Sequence, residues 1–219
     1  MKGFGVLAAA SCAAIALLAG SMSAEAAKSQ GDLLVRLRAI YIEPDVSSSL
    51  KLGNTAIAGK VDADFQVVPE IDFSYFLTDN ISLELIAATA KHDVSVKGSP
   101  LGANVDLGHV WVLPPTLTAQ YHFAPKAAFS PYVGAGINYT IYYNQKDGAA
   151  RSVNYDNDFG LALQAGVDYW INDKWFINLD VKKLWLNADA KVDAGLGTLI
   201  NAKVDLDPWI FGVGVGTKF

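Results

Sequence analysis

The sequence predicts an all-β fold: an eight-stranded antiparallel, transmembrane up-and-down β-barrel with extended extracellular hairpins. Three observations predict it. Eight stretches alternate apolar and polar side chains with a period of two, which is the period of a β-strand. The connections between these stretches are alternately short turns and long loops, as are the periplasmic turns and extracellular loops of outer-membrane barrels. Aromatic side chains gather near both ends of the stretches, as they do at the two interfaces of a membrane.

The amino-terminal residues 1–26 are predicted to be a cleaved signal peptide. Lys2 supplies the positive start, an apolar run follows, and Ala24-Glu25-Ala26 matches the small-x-small cleavage pattern. The single cysteine, Cys12, lies in this segment, so we expect no disulfide in the mature chain 27–219. That mature chain is predicted to be one outer-membrane β-barrel. Its net charge of −5 gives no reason to expect nucleic-acid binding.

The eight predicted strands are separated by connections of two kinds. The first, third, fifth and seventh strands are followed by the long connections 44–63, 93–109, 144–157 and 188–206, and the remaining connections are short turns. Within the second and fourth long connections, segments 93–108 and 189–205 alternate and turn at 98–100 and 195–197, so we expect them to extend as hairpins beyond the bilayer. An even number of strands places both termini on the short-turn, periplasmic side. No run of 18 apolar residues follows the signal peptide, so no transmembrane helix is expected. The predicted strands are 32–43, 64–77, 80–92, 110–123, 131–143, 158–171, 174–187 and 207–219.

The last of these strands shows the pattern most clearly. Between Trp209 and Phe219 one face is bulky and apolar, whereas the other carries three glycines and Lys218. The length suits the apolar band of a barrel that crosses a bilayer. The final Phe219 is similar to the carboxyl-terminal signal by which the barrel-assembly machinery recognises outer-membrane proteins. We therefore expect that machinery and the lipid bilayer, with its lipopolysaccharide, as partners.

Alternation alone does not separate a membrane barrel from a secreted, lipocalin-like carrier, because both show the same period. The aromatic side chains favour the membrane barrel. One group, including Tyr75 and Trp175, lies at the short-turn ends, and a second, including Trp185 and Trp209, lies towards the long loops. Two such bands with aliphatic strand centres between them are typical of a protein that meets headgroups on both sides.

Several spaced motifs resemble the OmpW family of small outer-membrane channels. The resemblance covers essentially the whole mature chain and implies an eight-stranded barrel linked to the uptake of small hydrophobic molecules. The loops 44–63, 144–157 and 188–206 carry none of the motifs, so the resemblance implies no particular solute. The matching residues are 78–81 (TDNI), 85–89 (LIAAT), 113–117 (LPPTL), 131–140 (PYVGAGINYT), 166–169 (GVDY) and 206–209 (LDPW).

The inward-facing positions divide by depth into two sets. Charged residues fall in the lower and middle lumen, where we expect them to pair and form a plug, because eight strands enclose little space. Apolar residues fall in the outer half, where we expect a funnel that admits an apolar solute. The predicted plug residues are Arg36, Arg38, Glu70, Asp72, Glu84, His122, Asp168, Asp180, Lys182 and Lys218. The predicted funnel residues are Ile40, Ile42, Val68, Ile86, Pro114, Tyr142, Leu184, Leu186 and Ile210.

A plugged lumen needs another exit, and prolines suggest where it lies. Pro114 and Pro115 interrupt the fourth strand, and Pro69 and Pro208 lie in the second and eighth. Proline donates no hydrogen bond to the ladder of a sheet. We predict a lateral gap at Pro114 and Pro115, through which a hydrophobic molecule slips sideways. The alternative is that these two prolines lie above the membrane, where pairing is free to lapse.

Two other functions fit a small outer-membrane barrel. One is a structural or adhesive barrel that acts through its loops. The other is an enzyme that modifies lipid A with serine, histidine and acid groups. The histidines are His92, His109 and His122. His122 has no serine clearly beside it, and His92 could pair with Asp93 near the outer rim, but neither forms a triad by spacing. We therefore expect no enzyme, no metal and no cofactor. The predicted function is passive uptake of small hydrophobic or amphiphilic molecules.

Overall fold

The computed structural model describes residues 28–99, 102–148, 151–193 and 199–219. The predicted signal peptide 1–26 and the predicted turn at 195–197 lie outside the described residues. The strands are β1 Leu33–Glu43, β2 Ser47–Leu52, β3 Thr55–Ile57, β4 Lys60–Ala63, β5 Gln66–Phe76, β6 Ile81–Ala88, β7 Ala90–Ser99, β8 Gly102–Leu113, β9 Thr116–His122, β10 Phe129–Asp147, β11 Ser152–Tyr155, β12 Asp158–Trp170, β13 Trp175–Trp185, β14 Ala190–Asp193, β15 Ile200–Asp205 and β16 Trp209–Lys218.

Eight of these strands form a closed antiparallel barrel. Going round the wall, β1 is followed by β5, β6, β9, β10, β12, β13 and β16, and β16 pairs again with β1. The ladder between β10 and β12 runs from Phe129 opposite Tyr169 to Thr140 opposite Asp158. The predicted eight-stranded barrel is confirmed. In the described ranges, no helix is long and apolar enough to cross a membrane.

The two faces of the wall have opposite chemistry. Outward-facing Leu37, Val213 and Leu179 are each more than half exposed, whereas inward-facing Arg36 and Asp72 are completely buried. This is the reverse of a water-soluble domain, and an apolar surface of this extent indicates contact with lipid. Aromatic side chains are exposed at both rims of the wall, as predicted. They include Tyr75, Tyr121, Tyr169, Trp175 and Phe219 at the periplasmic rim and Phe159, Trp185, Trp209 and Phe211 at the outer rim.

Above the barrel the chain builds an extracellular extension from two facing sheets. One sheet has the order β11, β14, β15, β2 and β3, and the other is formed by β4, β7, β8 and the outer part of β10. Alternate side chains of both sheets meet in an apolar cluster. Its buried members are Leu50, Val94, Val96, Leu107, Val110, Val112, Val153, Ala188, Ala190, Val192, Ile200, Ala202 and Val204.

The sequence predicted only part of this extension. The paired strands β7 with β8 and β14 with β15 follow the predicted hairpins of the second and fourth long connections. The hairpin of β2 and β3 within the first long connection was missed. Its signal was the dipeptide Gly53-Asn54, because glycine followed by asparagine between two short alternating runs favours a tight hairpin turn. Gly53 has a φ of 57°, which a glycine adopts readily.

Glycines on the inner face make room for large side chains in the narrow lumen. A Cβ atom at Gly166 would lie 2.4 Å from the hydroxyl oxygen of Tyr132, which donates a hydrogen bond of 2.8 Å to Asp180. A Cβ atom at Gly212 would meet nothing nearer than the side-chain Cδ of Arg38, at 3.3 Å. The two positions face the same lumen but tolerate an added methyl group very differently.

We therefore expect Gly166→Ala to lower the free energy of unfolding by about 1–3 kcal/mol, because overpacking displaces Tyr132. Gly212→Ala, the matched control, should change it much less, since only the stem of Arg38 has to move. Urea titration of the barrel folded into lipid vesicles measures both. Equal effects of the two substitutions would contradict the assignment of Gly166 as the close-packed position.

Candidate functional site

The lower and middle lumen contains a buried network of ion pairs centred on two arginines of β1. Arg36 lies 2.8 Å from Asp72 and 3.0 Å from Asp168, which project from β5 and β12. Arg38 lies 2.7 Å from Glu70 and 2.8 Å from Asp72. Side chains along β1 point alternately inward and outward, so Arg36 and Arg38, two residues apart, both point inward. The other strands present carboxylates at the same heights. Asp72 and Glu70 come from the neighbouring strand β5, whereas the Arg36–Asp168 pair ties β1 to β12 across the lumen.

The upper surface of this network is formed by Lys182, Glu70 and Asp180. The ammonium group of Lys182 donates to both carboxylate oxygens of Glu70, at 2.9 and 3.0 Å, and lies 3.0 Å from Asp180. All three side chains are nearly inaccessible to solvent. Buried charges of this kind must be paired, since an unpaired charge in a dry interior is strongly unfavourable. The predicted plug residues thus lie in one network, with one exception.

That exception is Lys218, which lies at the periplasmic rim. Its ammonium group is 3.7 Å from Asp32 and is partly exposed, and it lies over the ring of Trp170. Depth along β16 explains the difference, because Lys218 is the last residue of the strand. At the same rim, the backbone N–H of Gln30 and the neighbouring Lys126 lower the pKa of Asp79. This bond holds the segment before β1 against the turn that follows β5.

Sequence reasoning missed Lys28, which enters the lumen from the periplasmic end. Its ammonium group donates to Asp168 at 2.7 Å and to Ser130 at 2.9 Å, and it is completely buried. Lys28 precedes β1 and has no strand partner, so the period-two pattern gave no signal for it. With Lys28, the buried network of the described residues holds four basic side chains and five carboxylates.

The environment of His122 corrects one expectation. The sequence showed no serine clearly beside this histidine, yet Ser82 Oγ lies 3.1 Å from its Nε2. The ammonium group of Lys28 lies 2.9 Å from Nδ1, so Nδ1 accepts and the ring proton sits on Nε2. In that tautomer Nε2 donates to Ser82 or to Gln120 and does not take a proton from the serine. Both side chains are fully buried at the periplasmic end of the network.

Immediately above Lys182 and Glu70 the lumen becomes apolar and contains a cavity of about 110 Å³. It extends from mid-height in the barrel into the base of the extracellular extension. About 150 Å³ is the size of an apolar cavity known to take up benzene. The space is somewhat smaller than that, so it suits a short alkyl chain, and a ring would require small movements of the wall. Its apolar lining includes Ile40, Ile42, Ile86, Ala88, Ala90, Val94, Val110, Val112, Leu184, Leu186, Ala188, Val204, Leu206 and Ile210.

The predicted funnel residues are brought together at this cavity. All of them except Val68 line it, including Pro114 and Tyr142. Val68 packs instead against the buried apolar side chains Ile40, Leu184 and Ile210. Sequence reasoning missed the contributions of Ala90, Val94 and Val110 on β7 and β8, because the second long connection was expected to extend as a hairpin beyond the bilayer and not to line the site. The structure also differs from the predicted funnel in its outer part. Above the cavity, the space is filled by the apolar cluster of the extracellular extension.

The wall at Pro114 and Pro115 is interrupted but aligned. These residues separate β8 from β9, and the ladder towards β6 and β7 lapses between the pairs Ile86–Thr116 and Ala90–Val112. Three residues intervene on each strand, so the register is unchanged. Towards β10 the wall is held, because Tyr139 N donates to the carbonyl of Pro115 at 3.0 Å.

The described residues contain no group of three or more histidine, cysteine, aspartate or glutamate side chains arranged to hold a metal ion. His92 and His109 lie opposite Val110 and Asp93 on the paired strands β7 and β8, outside the buried network. The site is therefore an apolar chamber above a sealed, charged floor.

Comparison with known proteins assigns the chain to a family. The model of the OmpW family matches residues 29–219. The chain belongs to the OmpW family. Outer membrane protein W of Vibrio cholerae is 35% identical over 214 residues, which cover 94% of this chain and 97% of that protein. The crystal structure of the outer membrane protein OprG from Pseudomonas aeruginosa is similar, with a TM-score of 0.83 and 31% identity over 88% of this chain and 98% of that chain.

A third relative of this OmpW-family protein has a more specific name. The dibenzothiophene metabolism operon protein PahQ of Pseudomonas aeruginosa is 29% identical over 176 residues, which cover 80% of this chain and 82% of that protein. The family and the solved barrels place this protein in the outer membrane of a Gram-negative bacterium. The resemblance inferred from the sequence motifs is confirmed.

Proposed function

We propose that this OmpW-family barrel passively admits small hydrophobic or amphiphilic molecules across the outer membrane. The observation that carries the proposal is the apolar cavity that rests directly on the buried ion pairs of Lys182 and Glu70. Ions and water meet a floor of buried, paired charges, whereas an apolar molecule meets an apolar lining that replaces its contacts with lipid. Dibenzothiophene, after whose metabolism the operon of one relative is named, is a molecule of this apolar class.

The route begins in the extracellular extension. Its two sheets enclose an apolar interior that continues into the cavity, because Val94, Val110, Val112 and Val204 belong to both. A solute that separates the two sheets would thus pass from one apolar environment to the next. Since the buried network blocks the axial path, the molecule would leave sideways through the wall. The proposal contains no chemical step and requires no cofactor.

Two partners of the barrel are expected outside the lumen. Lipopolysaccharide would face the outer aromatic side chains, including Trp185 and Trp209, which are exposed at that rim. The barrel-assembly machinery would recognise the last strand, β16, whose final residue Phe219 is 74% exposed.

Uptake of an apolar fluorescent dye by intact cells tests the proposal. N-phenyl-1-naphthylamine is suitable, because it fluoresces when it reaches a lipid environment. Cells that express the barrel should take it up several-fold faster than cells with an empty vector. Equal rates at a normal level of folded protein would contradict transport and favour the barrel that acts through its loops.

A further inference from the structure

The barrel wall has a second interruption, between β5 and β7, that differs from the one at the prolines. Below it, Glu70 pairs with Ala88, and above it, Ala63 pairs with Val94. Six residues, 64–69, separate these pairs on one strand, but only five, 89–93, separate them on the other. The register therefore slips by one residue, and no ladder pair joins these two segments, all of whose residues are described. The slip distinguishes this interruption from the aligned break at Pro114 and Pro115.

The inner side of this interruption opens on the cavity. Ala63, Ala88 and Ala90 border it, and all three line the cavity. Their small side chains place little bulk between the cavity and the interruption. Pro69 lies on the free edge of β5, where a residue without an N–H donor causes no loss of pairing.

The outer side of the interruption faces the upper part of the lipid layer. Phe65 and Val67 point outward and are about 60% exposed, and the ring of Phe65 lies 5.5 Å from that of Tyr41. On the opposite edge, Lys91 and Asp93 form an exposed ion pair of 3.2 Å. Aromatic side chains such as Tyr41 at this level are typical of the boundary between acyl chains and headgroups.

His92 spans the interruption. Its ring makes a hydrogen bond to the backbone of Asp64 on the opposite segment, and the ring lines the cavity. Its Nδ1 atom is buried and has no hydrogen-bond partner. The histidine therefore bridges the two edges through its side chain, at a level where no backbone ladder pair joins them.

We infer that the solute leaves the cavity between β5 and β7, with His92 as the side chain that closes this window, and not through the break at Pro114 and Pro115. The inference rests on the proposed transport function. It assigns the exit to a place where an interrupted ladder of five to six residues, a slipped register and the cavity coincide. The solute class is an apolar molecule, with or without one polar group, that passes from the cavity to the upper acyl chains.

The test bridges the window reversibly. The mature chain is predicted to lack cysteine, since the only cysteine of the sequence is Cys12. Val67→Cys with Lys91→Cys places one thiol on each edge of the window. Thr89→Cys with Leu113→Cys, the matched control, does the same across the proline break. Neither pair lines the cavity. Each is joined by the same short thiol-reactive linker that contains a reducible disulfide, and uptake of N-phenyl-1-naphthylamine is measured before and after reduction.

The bridged Val67–Lys91 pair should lose at least about nine-tenths of the uptake and regain it on reduction, whereas the bridged control should retain it. If uptake is lost in the bridged control, in both bridged pairs or in neither of them, the assigned exit is overturned but transport itself is not contradicted. Absence of uptake in every reduced variant and in the unmodified protein would instead contradict the proposed function itself.

A second variant tests the closing role of His92 without a linker. His92→Leu removes the bond to Asp64 and should raise the rate of uptake at least about twofold. His109→Leu, on the neighbouring strand β8 and outside the cavity lining, is the control and should leave the rate unchanged. An unchanged or reduced rate in His92→Leu at normal levels of folded protein would overturn the closing role.

Discussion

Replacement of Leu184 by aspartate is expected to reduce the uptake of an apolar solute at least tenfold. Leu184 is only 3% exposed and packs beside Ile40 and Ile210 in the cavity wall. A carboxylate at this position either retains water in the cavity or lies unpaired in an apolar environment. The penalty for such a charge is several kcal/mol, and about 1.4 kcal/mol corresponds to a factor of ten. The dye-uptake rate, normalised to the amount of folded barrel, measures the effect.

Leu184→Met is the matched control for this substitution. It keeps the cavity apolar and close to its original volume, so uptake should stay within about twofold of the unmodified protein. The shift in gel mobility on heating reports whether each variant has folded. Unchanged uptake by folded Leu184→Asp would contradict passage through this cavity.

Replacement of Arg38 by methionine is expected to lower the free energy of unfolding by about 3–5 kcal/mol. Arg38 is 1% exposed and lies within 3.5 Å of four carboxylates: Glu70, Asp72, Glu84 and Asp180. Removal of one partner from a buried network leaves charge without compensation, and this is far more destabilising than loss of an exposed pair. Urea titration of the barrel in lipid vesicles measures the change.

The control for Arg38 is an exposed ion pair on the same protein. Lys126 lies 3.4 Å from Asp79 in a periplasmic connection, and both are well exposed. Exposed pairs contribute little, so Lys126→Ala should change the free energy of unfolding far less than Arg38→Met. A similarly small effect of both substitutions would show that the buried network does not hold the barrel together.

The barrel was predictable because one face of every strand contacts acyl chains and must therefore carry apolar side chains. Leu37, Leu179 and Val213 follow the same odd-numbered alternation in distant parts of the chain, and this fixes both strand type and direction of the side chains. The charged residues of the plug were predictable as well, because they occupy the even-numbered, inward-facing positions of the strands. Lys28 was not, because it lies outside any strand and its partners come from β9, β10 and β12.

The cavity was predicted in its lower part and missed in its upper part for a similar reason. Ile40, Leu184 and Ile210 lie on barrel strands, whose depth can be counted from the short turns. Val94 and Val110 lie on strands that rise beyond the bilayer, where the aromatic bands no longer give the depth. The slipped register between Glu70–Ala88 and Ala63–Val94 is a property of two paired strands. No single strand in the sequence carries a signal for it.

The most direct test of the central claim is photolabelling of intact outer membranes with a short alkyl diazirine, followed by mass spectrometry of the labelled peptides. If an apolar molecule enters the lumen above the ion pairs, label will appear on inward-facing Ile40, Leu184 and Ile210. Excess unlabelled apolar solute will reduce this label. Label confined to lipid-facing residues such as Leu179 and Val213, with none on the cavity wall, would contradict the account.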